Sequence, residues 1–145
     1  HYTLNARIET LSEKKSFKDV IQNRCLILAD GFYEWKWLNK SGSKKEKYLI
    51  TVPNDALFAF AGIYTSWLDG NGNELQSYAM LTTQANALMS EIHNTKKRMP
   101  IILNLSDEGN WLEGDDYENF AFPYRQELVA TNLDANLSQL RFFPE

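Results

Sequence analysis

Four segments set polar groups into otherwise apolar sequence, and they hold the residues that could do chemistry. They are Asn5-Ala6-Arg7-Ile8-Glu9-Thr10, Ala29-Asp30-Gly31-Phe32-Tyr33-Glu34-Trp35, Thr82-Thr83-Gln84-Ala85-Asn86, and Ile92-His93 followed by Arg98-Met99-Pro100. Glu34 stands among Phe32, Tyr33, Trp35 and Trp37. A carboxylate there would be partly withdrawn from water, the condition for general acid/base work near neutral pH. The plainer alternative is an exposed strand glutamate with Lys36 as its surface partner. His93 is the only histidine besides His1. It can shuttle protons near neutral pH, or simply be a hydrogen-bonded residue at a helix end. Asn5 can both donate and accept, which suits a sugar hydroxyl or a carbonyl oxygen, although Asn is also a common turn residue. Arg7 offers a fork to phosphate or to a local carboxylate such as Glu9.

These groups need a scaffold, and the pattern supplies one. Arg24–Asp30 is a compact apolar run stopped by Asp30-Gly31, and the alternation in Phe32–Trp37 places Glu34 opposite its aromatic neighbours. Both read as strands. Asn39–Ser43 is a turn leading to a strand over Lys47–Val52, closed by Pro53-Asn54-Asp55. Leu57–Trp67 and Glu74–Thr82 flank Asp69-Gly70-Asn71-Gly72, a strong hairpin signal. Thr83–His93 switches to a helical period, with Ala87, Leu88, Met89 and Ile92 as its stripe and Thr83 as N-cap. Arg98–Asn104 returns to strand, and Ser106-Asp107-Glu108-Gly109 caps a short helix carrying Trp111 and Leu112. A further helix is expected over Ser12–Val20, with Phe17, Val20 and Ile21 on one side. The sum is a strand-rich α+β domain whose outer strands look to additional chain for pairing.

With 145 residues, 43% of them hydrophobic and 23% charged, the sequence has the composition of one globular domain with a real core, residues 1–145. No apolar run approaches the ~20 residues of a membrane span, and the opening is not signal-like, so a cytoplasmic protein is expected. The net charge of −4 speaks against a uniformly basic nucleic-acid surface. It averages over basic clusters at Lys14–Lys18, Lys36–Lys47 and Lys96–Arg98 and an acidic stretch from Asp107 to Glu118. The single cysteine, Cys25, can form no internal disulfide, and no pair of Cys or His has metal-ligand spacing. No metal and no cofactor are expected. Set in Arg24-Cys25-Leu26-Ile27-Leu28, Cys25 reads as a small buried hydrophobe rather than a nucleophile.

In order along the chain, Asn5–Thr10, Arg24–Lys36, Leu81–His93 and Lys97–Leu103 resemble the SRAP family (SOS-response-associated peptidase) as far as about residue 105. The resemblance implies a predominantly antiparallel, barrel-like sheet with short flanking helices. It implies an active site surrounded by Asn5, Glu34 and His93. Arg7 matches the family's DNA-contacting arginine, and Trp35 as a stacking platform and Arg98 as a phosphate contact complete the expected DNA-binding set. Family members use a cysteine, exposed at the amino terminus after Met removal, whose amine and thiol condense with the aldehyde of an abasic site in single-stranded DNA to give a thiazolidine. The same cysteine removes its own preceding Met, and the setting is the SOS or DNA-damage response. No segment here corresponds to that cysteine, so the sequence reads as the carboxyl-terminal portion of such a domain. Asn94-Thr95-Lys96-Lys97 departs from the family pattern inside the IH…RMP motif, and residues 132–145 do not align with it. The implied partner is abasic single-stranded DNA, met by a monomer without membrane or small-molecule cofactor. The alternative is a noncatalytic single-strand-binding module that stacks bases on Trp35 and Trp37.

Overall fold

A computed structural model describes residues 4–54, 57–121 and 126–135. Segments, most of them rich in aromatic and branched side chains, form the strands β1 (Asn5–Arg7), β2 (Arg24–Ala29), β3 (Phe32–Trp37), β4 (Lys45–Thr51), β5 (Phe58–Leu68), β6 (Glu74–Gln84), β7 (Arg98–Pro100), β8 (Ile102–Leu103) and β9 (Val129–Asn132). Among the described residues the short α-helices are α1 (Lys15–Lys18), α2 (Ala87–Ile92) and α3 (Glu108–Glu113). The larger sheet runs β1-β6-β5-β2, with β7 joining β6 and β8 joining β5, and it curls as a half-barrel. The smaller sheet runs β3-β4-β9. The fold is α+β and mostly antiparallel, as expected; the β1–β6 pairing is parallel.

The β5–β6 hairpin forms where Asp69-Gly70-Asn71-Gly72 placed it. The Asp69 carboxylate accepts from the Asn71 and Asn73 backbone amides at 2.8 and 2.9 Å. Gly72, at φ 83°, supplies the left-handed residue that the turn requires. Consecutive β2 and β3 part company: β2 pairs with β5 and β3 with β4, so Asp30-Gly31 is a crossing between sheets.

Packing on either side of that crossing builds the core. Ile8, Leu11, Ile63, Leu81, Ile101, Trp111 and Phe120 fill one side of the larger sheet. Ile50, Ala85, Met89, Ile92 and Met99 join β4, α2 and β7, while Val52, Phe58, Phe60 and Ile102 form a third cluster. Phe32 packs against both of the last two. Since side chains alternate along a strand, that anchoring turns Glu34 inward with Phe32, and Tyr33 and Trp35 outward.

Several expected boundaries differ. The Ser12–Val20 helix shrinks to α1, whose N-cap Lys14 makes no side-chain capping bond, although Phe17, Val20 and Ile21 still pack on the core. Thr83 is not a helix cap. It lies buried in β6, and α2 is capped by Asn86, whose side chain accepts from the Met89 amide at 2.9 Å. The Arg98–Asn104 strand divides into β7 and β8, because the Ile101 backbone bridges outward in both directions, its N–H to Leu81 and its carbonyl to Ala61, each at 3.0 Å. β1 and β9 were not anticipated. Most of the unaligned stretch, residues 136–145, lies outside the described residues, but Asn132 closes β9.

Candidate active site

Glu34 and His93, 59 positions apart in sequence, meet where the inward face of β3 passes the end of α2. The Glu34 carboxylate reaches to 3.6 Å from His93 Nδ1, and both side chains are partly shielded, at 22% and 25% exposure. The other carboxylate oxygen accepts the Trp35 N–H at 2.9 Å. His93 Nδ1 also lies 2.9 Å from the Arg98 carbonyl. A carbonyl only accepts, so this bond puts the proton of the neutral ring on Nδ1 and leaves the Nε2 lone pair for a reacting proton. The pair therefore couples a carboxylate, an oriented imidazole and an open ring nitrogen, the parts needed to move protons at a bound group.

The first motif reaches this site through a relay. Glu9 accepts from both terminal nitrogens of Arg98 at 2.9 and 2.8 Å, and also from the Thr83 hydroxyl and the Gln84 amide, each at 3.1 Å. Arg98 gives a further bond to the Thr82 carbonyl at 2.7 Å. Glu9 thus holds the Arg98 side chain, and the Arg98 carbonyl holds His93. The guanidinium expected to face phosphate is only 17% exposed and is turned toward Glu9. By sequence Glu9 offers itself only as a local partner for Arg7, and its place in the same short motif as Asn5 and Arg7 is the signal it carries.

Asn5 is exposed on β1 and lines a cleft with Leu4, Ile27, Phe60, Ser77 and Tyr78. Its register partner Met80 packs in the cluster that Phe32 joins, two residues before Glu34. Arg7 is exposed at the end of β1. Trp35, 44% exposed, sits on the outer face of β3, opposite Glu34. There Lys47, its register partner on β4, holds its ammonium 3.8 Å from the Tyr33 ring centre and 5.9 Å from that of Trp35. Lys45 stands 5.3 Å from the Trp37 ring. Among the described residues no group of His, Cys, Asp and Glu could hold a metal ion.

The sequence profile described as SOS response associated peptidase (SRAP) matches residues 1–139. The chain belongs to the SRAP family. It is similar to the abasic site processing protein YoqW of Bacillus subtilis, 46% identical over 110 residues that cover 75% of this chain and 47% of that protein. YoaM of the same organism, also an abasic site processing protein, is 39% identical over 87% of this chain and 52% of its own length. The abasic site processing protein HMCES of Xenopus tropicalis is 34% identical over 77% of this chain and 38% of its own. An X-ray structure of a protein from Bacteroides thetaiotaomicron superposes with a TM-score of 0.78 at 35% identity, covering 91% of this chain and 60% of that one. The SRAP chain thus spans about half the length of the Bacillus relatives it matches.

Cys25 of this SRAP domain is half-buried, not enclosed, and burial pushes its thiol up from the ordinary range. That leaves less of the nucleophilic thiolate at neutral pH. Glu9 shows the opposite behaviour. Burial by itself raises its carboxyl, but the bonds and charge of Arg98, its own backbone amide and the Thr83 hydroxyl together hold it below the usual glutamate range. A carboxylate depressed on folding stabilises fully above its unfolded value and loses that contribution as pH falls through the folded one. Glu9→Gln should therefore cost about 1 kcal/mol at pH 7, the modest figure for a carboxylate this exposed. The difference from the parent should close as pH drops below about 4. Urea melts at several pH values check this, and a constant difference down to pH 3 would contradict it.

Proposed function

We propose that this SRAP domain takes part in capturing abasic sites in single-stranded DNA as a covalent DNA–protein crosslink, with Glu34 and His93 as its proton-transfer pair. The observation that carries the proposal is the 3.6 Å approach of Glu34 to a His93 ring already oriented by the Arg98 carbonyl. An abasic site in its opened form presents an aldehyde. Attack by the α-amine of an amino-terminal cysteine gives a carbinolamine, loss of water gives the imine, and addition of the thiol across that imine closes a thiazolidine. Each step moves a proton to or from oxygen or nitrogen, which is the work a carboxylate–imidazole pair performs. Asn5 would hold the opened sugar, and Arg7 would meet phosphate. Arg98 would reach DNA only by releasing Glu9, so its contribution is assigned to holding the site. The same cysteine chemistry, turned on a preceding Met, would account for the peptidase in the family description.

A second reading has its own support. Tyr33, Trp35 and Trp37 with Lys45 and Lys47 combine flat rings with ammonium groups on one face, the composition of a single-strand stacking surface. The test is to present abasic single-stranded DNA to this chain and to an SRAP protein in which it follows an amino-terminal cysteine segment. An adduct that survives boiling in detergent is expected only with the cysteine segment. An adduct formed by the 145-residue chain by itself would return Cys25 to consideration. Salt-sensitive DNA binding with no adduct in either protein would favour the noncatalytic reading.

A further inference from the structure

Asn94 opens the Asn94-Thr95-Lys96-Lys97 stretch between His93 and Arg98, and the chemistry above gives it no part. Its side-chain amide accepts the Trp37 N–H at 3.1 Å and donates to the Trp37 carbonyl at 2.8 Å. These are the two bonds that a neighbouring strand makes to one residue of an antiparallel pair. Among the described residues β3 is an end strand of its sheet, and on the edge away from β4 Asn94 makes the bonds that a neighbouring strand would make. The residue before Asn94 is His93, and Trp37 lies three positions beyond Glu34 on a regular strand.

The turn that carries Asn94 is itself closed. The His93 amide donates to the Met89 carbonyl at 2.8 Å, and the Lys97 amide donates to the His93 carbonyl at 2.9 Å. Lys97 takes a φ of 50°, a left-handed conformation that side-chain-bearing residues adopt at some cost. Such a turn keeps its shape when something fastens it. We infer that Asn94 is a positioning residue, a two-bond clamp from the turn after α2 to the edge of β3 that sets the geometry of the Glu34–His93 pair. The inference rests on reading that pair as the proton-transfer site.

Side-chain nitrogen NMR of His93 tests it on this chain. In the parent, Glu34→Gln should shift the His93 ring signals, because the facing carboxylate is lost. In Asn94→Ala that response should shrink to less than half, and in Asn94→Gln, which keeps both hydrogen-bonding groups, it should partly return. Circular dichroism confirms that each variant is folded, and Asn94→Ser replaces Asn94→Ala if the latter is not. An undiminished response in the folded Ala or Ser variant overturns the inference, and so does a parent whose His93 signals ignore Glu34→Gln. In a protein carrying the amino-terminal cysteine segment, Asn94→Ala should slow adduct formation roughly tenfold, with Glu34→Gln costing less in that background than in the parent. If Glu34→Gln leaves the adduct rate untouched while the NMR coupling behaves as described, the clamp stands and the proton-transfer role falls.

Discussion

On the proposed role of Glu34 and His93 as a proton-transfer pair, replacing Glu34 with Gln is expected to slow covalent capture of an abasic site by roughly 100-fold or more, the usual contribution of a positioned acid or base, while leaving the domain folded. The amide keeps the shape of the side chain and an oxygen to accept the Trp35 N–H, but it cannot transfer a proton. Glu34 is absent from the buried core, and its carboxylate approaches His93 Nδ1 only to 3.6 Å. The stability loss should therefore stay under about 1 kcal/mol. Single-turnover crosslinking, in an SRAP protein where this domain follows a cysteine segment, measures the rate, and a thermal melt measures the fold. A variant that crosslinks at the parent rate across neutral pH, or one that unfolds, would make Glu34 a structural residue.

The second large effect lies away from the site and moves stability. Trp111→Ala should destabilise the domain by about 4 kcal/mol, in the range for truncating a fully buried aromatic. Trp111 has no solvent exposure and meets Phe120 edge to face at 5.3 Å between ring centres. Its ring N–H donates to the Cys25 carbonyl at 3.1 Å, tying α3 to β2. The Arg24 guanidinium lies 4.4 Å from its ring centre and donates to its carbonyl at 3.1 Å. Burial disfavours the charge on Arg24, and Asp115 and Asp116 offset part of that cost. Removing the indole leaves both a cavity and a buried guanidinium with one face uncovered. Trp111→Phe, which keeps most of the packing and loses the hydrogen bond, should cost about 1 kcal/mol. Denaturant unfolding separates the two variants, and a loss below 1 kcal/mol for the Ala variant would show that α3 is dispensable to the core.

Local pattern was enough to place the strands. Arg24–Ala29, Phe32–Trp37 and the long Phe58–Gln84 hairpin are each legible because a strand's alternation and a turn's special residues are properties of neighbouring positions. The same alternation put Glu34 opposite Tyr33 and Trp35. Short elements escaped for the complementary reason. β1 is held by parallel pairing to β6, and β9 by pairing to β4, contacts that bridge about 75 and about 80 positions and leave no periodic trace in three or four residues. A hydroxyl just ahead of an apolar helical stripe looks like a cap, whereas the Thr83 hydroxyl donates to Glu9 on a distant segment.

The site divides along the same line. The sequence by itself determined which residue types could do the chemistry, through ordered motifs carrying Asn5, Arg7, Glu34, His93 and Arg98, and with them the family. Only the tertiary structure decided who touches whom. It gave Arg98 to Glu9, brought Lys47 toward the Trp35 ring, set Asn5 beside Met80 of β6, and fastened the turn after His93 to β3 through Asn94. A residue's chemical capacity is carried by its own side chain and near neighbours. Its use depends on burial and on partners brought from afar, and those exist only once the two sheets have packed.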